Sequence, residues 1–390
     1  MVLDLSHYIA GPYCTRLLAA LGAEVIKVER PGEGDGARRL GPFPNDLPHP
    51  EKSGLFLYLN TNKKSVTLDL KTPTGKKIAE ELVKSADVVV ENFRPGVMDS
   101  LGLGYTALRA INPNLVMTSV SNFGQTGPYR DFDATEIVEY ALSGAMYITG
   151  EPAREPLKAG GSLAQYIAGQ TAMVGTMVAL LEWEMSGQGQ HVDVSIMEAT
   201  TDHIEGSLAA VGHGGEPSQR AGLRHGSHPW HPYPCRDGWA AIIAGPPRNW
   251  PKIAELMEEP RLLDARYATP NLRRQPEIRD ELDALLLPWL LEHDKREIYH
   301  KGQAAGFAFG YVASTEDLFE SPQLAAREFF VEIDHPEAGP LMYPGAPYKM
   351  GSAWRWEPAP LLGQHNEEIL CGRLGYSKEE LQRLRQANVI

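Results

Sequence analysis

The sequence predicts an α/β fold, and three observations carry that expectation. The chain opens as a strand (2–5), a helix (12–21) and a second strand (23–29), the βαβ order of a parallel sheet. Between Ala159 and Ala199 a long helix of small and apolar residues meets the turn Ser186-Gly187-Gln188-Gly189-Gln190. An alternating strand follows, in which Val192, Val194 and Ile196 interleave with Asp193 and Ser195. From Gly212 to Asp237 the composition shifts to Gly, Pro, His and Arg, marking a connection into a second, smaller α+β domain.

The elements follow in order. The loop Ser6-His7-Tyr8-Ile9-Ala10-Gly11-Pro12 lies at the carboxyl end of the first strand, where open α/β sheets bind ligands, but GxGxxG is absent and a dinucleotide is a poor match. Three cationic loops come next. Arg30 to Arg39 is Gly-rich and ends in two arginines, Lys63-Lys64-Ser65 leads into a strand at 66–70, and a buried strand at 87–91 runs into Asn92-Phe93-Arg94-Pro95-Gly96. Arginine forks and lysine ammonium groups at such loops suit phosphate oxygens. Helices are expected at 76–85 and 136–145, with a strand at 115–120 between them.

In the central helix Met173, Met177, Leu180 and Leu181 recur at helical steps, while Gly169, Ala172 and Gly175 leave one side bare. A bare side admits a close neighbour: another backbone or a ligand. In the smaller domain a strand is expected at Trp239 to Ala244, then helices at 250–257, 273–292 (broken at Pro288) and 297–305. The last helix opens at Ser377, with Glu380 in capping-box spacing.

The totals restrict function. A formal charge of −13 over 390 residues, without a basic run, argues against nucleic acid as a partner. Cys14, Cys235 and Cys371 are odd in number and far apart, which suits reduced thiols in the cytoplasm. Neither a signal peptide nor an apolar run long enough to cross a membrane is apparent. His225, His228 and His231 are evenly spaced, but Pro229, Pro232 and Pro234 prevent a helix from aligning their rings, and no metal is expected.

Five segments in one order resemble the class III CoA-transferase (CaiB/BaiF) family, which includes formyl-CoA transferase, α-methylacyl-CoA racemase and, more loosely, the benzylsuccinate CoA-transferase subunits. They are Ala10-Gly11-Pro12 with Leu21 to Glu29; Glu91 to Gly96; Phe123-Gly124-Gln125-Thr126-Gly127-Pro128; Gly187 to Gln190 before Val192-Asp193-Val194-Ser195; and Gly363-Gln364-His365-Asn366-Glu367-Glu368. The resemblance implies a Rossmann-like large domain built from both termini, a small inserted domain, and two chains interlocked as a dimer. On that reading residues 1–211 begin the large domain, 212–325 form the linker and small domain, and 326–390 return to the large one. Coenzyme A or an acyl-CoA is implied as substrate, with an organic acid as its partner. Tyr8, Ile9 and Ala10 would meet the CoA moiety, while Arg38, Asn62, Lys63 and Arg94 would hold its phosphates or adenine.

The family's transferases attack the thioester with an aspartate four residues before the helix glycine. Here that glycine is Gly169 and the equivalent residue is Gln165. A carboxamide lacks the anionic oxygen that the covalent cycle needs. The racemases add a histidine, and its position holds Thr135, which disfavours racemisation. Three expectations remain open: the non-catalytic subunit of a heteromeric transferase, paired with a paralogous chain; a self-sufficient transferase in which Glu136, Glu139 or Asp133 replaces the lost acid; or an acyl-CoA-binding protein without turnover.

Overall fold

The computed structural model describes residues 1–220, 222, 228–243, 249–351 and 354–390. The chain divides into two compact units. The larger comprises 1–146, 158–215 and 327–390, and the smaller 147–157 and 216–326.

The large unit runs β1 (Val2–Asp4), α1 (Ala10–Ala20), β2 (Val25–Glu29), α2 (Gly54–Leu59), β3 (Lys63–Thr67), α3 (Pro73–Val83), β4 (Val88–Glu91), α4 (Val97–Ser100), α5 (Tyr105–Ile111), β5 (Val116–Ser121), α6 (Glu136–Leu142), α7 (Leu163–Ser186), β6 (His191–Ser195), α8 (Ile196–Thr201) and α9 (Glu205–Gly212). Six parallel strands form one sheet in the order β3-β2-β1-β4-β5-β6. The order reverses between β1 and β4, and the crevice at such a switch point is where doubly wound sheets take their ligands. Two apolar clusters sandwich the sheet. Leu3, Ile26, Val66, Val89 and Met117 face one, while Val2, Val25, Val88, Val90 and Val116 face the other, as the period of a strand requires.

Helix α7 buries its small side. Ala164, Ala168, Gly169, Ala172, Thr176 and Ala179 are covered, whereas Met177 and Leu181 are exposed. A Cβ on Gly169 would lie 2.5 Å from the Ala10 carbonyl oxygen, so α1 crosses at backbone contact. The bare face therefore serves helix packing.

Several boundaries depart from the sequence expectation. Strand β3 begins at Lys63, three residues before the expected start, because Lys63 is drawn inward by Asp4. Ile196 starts α8, capped by the Ser195 hydroxyl, and does not extend β6. Helix α2 was not expected from the sequence. The outer edge of β3 is covered by the carboxyl-terminal segment. Asn366 accepts from Thr67 N at 2.9 Å and donates to its hydroxyl at 2.8 Å, and His365 Nδ1 accepts from Ser65 N at 3.1 Å. The expected capping box of Ser377 and Glu380 is present.

The small unit contains β7 (Trp230–Cys235), β8 (Gly238–Ile243), α10 (Trp250–Leu256), α11 (Pro276–Glu292), α12 (Lys295–Ala304) and β9 (Gly310–Tyr311), with β7-β8-β9 antiparallel. Ala244, the expected end of β8, lies outside the described residues. Part of the stretch read as a connection is strand β7. Its prolines are tolerated because β7 is an edge strand with one neighbour. Pro288 does not break α11. It is exposed, and buried Leu282, Leu286 and Leu290 carry the helix through it.

Candidate functional site

The loops after β1 and β4 are fastened together at the switch point. His7 N donates to Asn92 Oδ1 and Asn92 Nδ2 returns to the His7 carbonyl, both at 2.7 Å. Tyr8 then adopts φ +65°, a strained backbone for a bulky side chain. Two contacts hold it there. Its N–H donates to Asp35 Oδ1 at 3.0 Å, and its ring covers Gly36, where any Cβ would fall 2.4 Å from the phenol. The side chain is half exposed.

Beside it lies a cleft of about 390 Å³ lined by Tyr8, Ile9, Arg94, Arg130, Glu136 and Gln165. A larger hollow of about 610 Å³ is lined by His7, Arg30 and Lys71 with apolar Leu5, Leu68 and Val97, and Phe93 borders both. Ala10 itself is wholly buried as the first residue of α1, so only its neighbours face the opening.

The inner end of the cleft is built on α6 and α7. Glu136 spans the start of α7: one carboxylate oxygen accepts from Ala164 N at 3.0 Å and the other from Gln165 N at 3.2 Å. These N–H groups have no partner within the helix, so a carboxylate there satisfies them and opposes the helix dipole. The Gln165 side chain turns to Glu139, and its Nε2 donates to Glu139 Oε2 at 2.7 Å. With its amide nitrogen facing the carboxylate, Asn122 donates to Glu139 Oε1 at 2.9 Å. Glu139 is wholly buried, and burial, with Glu136 nearby, pushes its carboxyl up to about 7 despite the Gln165 hydrogen bond. Asp133, in contrast, is exposed and ion-paired to Arg94.

The cations expected to hold phosphate separate into two kinds. Arg38 is wholly buried and all of its N–H donors are engaged: Nε and Nη2 on Glu29, Nη2 also on the Pro360 carbonyl, and Nη1 on Glu51 and the Pro50 carbonyl. Lys63 spends its three donors on Asp4 (3.0 Å), the Pro12 carbonyl and Asn60 (both 2.9 Å), and burial lowers it to about 8. Both are therefore structural ions in this arrangement, correcting the expectation drawn from the sequence. Asn62, at φ +64°, accepts from Glu357 N at 2.7 Å and so fixes a loop. Arg94 is different: it is exposed, lines the cleft and, among the described residues, is held only by a surface ion pair.

The family model for CoA-transferase family III matches residues 1–366. The chain belongs to that family. It is 36% identical to succinyl-CoA–D-citramalate CoA-transferase of Chloroflexus aurantiacus, over 100% of this chain and 96% of that one. It is 33% identical to subunit BbsE of the succinyl-CoA:(R)-benzylsuccinate CoA-transferase of Thauera aromatica, over 96% and 94% of the two chains. A CaiB/BaiF family protein from Brucella suis has the same fold, with a TM-score of 0.86 and 28% identity over 95% of this chain and 97% of that one.

Within this family member, the sequence named Gln165 and Glu136 as site residues, and they meet in the cleft. Glu139 entered only as an alternative and Asn122 only as part of a loop. An acid set among Ile137, Val138, Tyr140 and Ala141, three residues from another acid, was the available signal for Glu139. Arg30 opens one of the three cationic loops the sequence singled out, whereas Lys71 carried no signal beyond charge.

Proposed function

We propose that this chain binds an acyl-CoA across the switch point and acts as the subunit of a heteromeric CoA-transferase that lacks the nucleophile, CoA passing from the acyl-CoA to a carboxylic acid. The observation that carries this reading is the pairing of Gln165 with Glu139. Gln165, which the resemblance puts at the family's nucleophile position, is a neutral amide, and its hydrogen bond holds it to a buried carboxylate. An amide can donate to a thioester oxygen but cannot form the mixed anhydride.

A chain with an intact aspartate at the equivalent position would supply the chemistry. The naming of BbsE as a subunit supports such a pairing. The thioester would run past Tyr8 and Ile9, with Ala10 buried behind them and Arg94, Arg30 and Lys71 available to phosphate oxygens. Arg38, Lys63 and Asn62 would shape the loops beneath it. The large unit would then be the CoA-binding domain, the small unit an inserted domain, and the assembly an interlocked dimer of paralogous chains. We place it in the cytoplasm, in keeping with three unpaired cysteines, two of them buried.

One observation favours a self-sufficient enzyme: Glu136 lines the same cleft as Gln165 and carries a carboxylate to its edge. Denaturing intact mass spectrometry separates the two readings. The purified chain is incubated with succinyl-CoA and other acyl-CoA esters, with and without hydroxylamine, while calorimetry records CoA binding. CoA binding without any acyl or CoA adduct is expected. A hydroxylamine-labile adduct mapped to Glu136, Glu139 or Asp133 would replace the subunit reading with the second one.

A further inference from the structure

The small unit holds a cluster that the chemistry above does not use. Alternation along β7 places His231 and Tyr233 on one face, and α11 presents Asp283 between buried Leu282 and Leu286. His228, in the lead-in to β7, completes the group, while His225 lies outside the described residues. His228 Nε2 is 2.6 Å from Asp283 Oδ1, Tyr233 donates to the same oxygen at 2.7 Å, and His231 Nε2 faces it at 3.7 Å. The ligand atoms of the two histidines and the aspartate all lie within 4.8 Å of one another.

The tautomer of His231 is informative. Its Nδ1–H donates to the Pro232 carbonyl at 2.9 Å, so a neutral ring carries its lone pair on Nε2. That nitrogen is buried and, among the described residues, makes no hydrogen bond. In that neutral form its lone pair faces a carboxylate oxygen 3.7 Å away, an arrangement that a cation bound between the two atoms would make favourable. An imidazole whose second nitrogen is tied to a backbone carbonyl is also how proteins orient metal-binding histidines.

We propose that His228, His231 and Asp283 bind one divalent transition-metal ion of the Zn2+ class, with Tyr233 orienting the carboxylate. Two nitrogens and one oxygen suit that ion, as three ligands from among the described residues. A tetrahedral ion with bonds of about 2.0–2.1 Å needs its ligand atoms roughly 3.3 Å apart. The His231 contact is already near that spacing, and the His228–Asp283 contact must open by roughly 0.7 Å, within reach of side-chain rotation. The ion takes the place of the proton that His228 shares with Asp283, and that proton leaves to solvent. It would tie β7 to α11 as a structural cross-link.

Cobalt(II) titration of the full-length chain, stripped with chelator and desalted, tests this. Visible d–d absorption saturating at one equivalent and abolished by Zn2+ is expected, with a rise in Tm on adding Zn2+. His231→Gln and Asp283→Asn should each weaken Co2+ binding at least tenfold, and circular dichroism will show whether they fold. The wild-type titration stands without the variants. No d–d band, or a band that both folded variants retain unchanged, would overturn the assignment.

Discussion

Gln165 Nε2 lies 2.7 Å from Glu139 Oε2, and the carboxylate it meets has no access to solvent. Burial raises that carboxyl from 4.5 to about 7, so the folded state binds a proton more tightly than the unfolded chain. Stability contributed by this group is therefore present below pH 4.5 and is lost as pH rises through about 7. Glu91, raised by burial to about 7, acts in the same direction, so wild type alone does not isolate Glu139. Urea denaturation of wild type and Glu139→Gln at pH 5 and pH 8 should show the variant gaining on wild type at the higher pH, by an order of 1–3 kcal/mol. Parallel profiles would mean that Glu139 does not titrate in this range.

Arg38 and Arg94 should respond oppositely to substitution. Arg38→Met strands the Glu29 carboxylate in the interior and should cost about 3–5 kcal/mol in chemical denaturation. Arg94→Ala removes an exposed group and should leave stability within about 0.5 kcal/mol, while weakening CoA binding in calorimetry by about tenfold. Unchanged CoA affinity in Arg94→Ala would remove Arg94 from the phosphate site.

Gly169→Ala places a methyl group 2.5 Å from the Ala10 carbonyl oxygen and 3.2 Å from the Tyr13 side chain. The helices must separate, at about 1–3 kcal/mol measured as a lower denaturant midpoint. Because α1 begins at Ala10, the shift should also weaken CoA binding.

Pro288→Ala should stabilise the protein, by about 1–3 kcal/mol in the same assay. Pro288 is exposed within α11, so alanine restores a helical N–H and removes no core contact.

The sheet was legible because strand and helix periods are written locally: the β1, β2 and β6 segments announce themselves by alternation or flanking turns. Charges were not. Arg38 and Lys63 look like phosphate ligands until Glu29 and Asp4, distant in the chain, are seen to claim them. Gln165 was found by position within a family pattern and Glu136 only as one of several carboxylates near it in the sequence, whereas the importance of Glu139 depends on its burial, which no local pattern fixes. The grouping of the histidines was not legible: a helix cannot align His228 and His231, but an edge strand and its lead-in bring both to Asp283.

The clamp of His365 and Asn366 on β3 has a consequence for biosynthesis. The ribosome has released most of the sheet-forming residues, and all of the small unit, before the segment that covers the sheet's edge is made. The small unit, 147–157 with 216–326, is thus complete while β3 still presents open backbone to its surroundings. Nascent chains stalled before residue 365 should depend on chaperones more than chains released at full length.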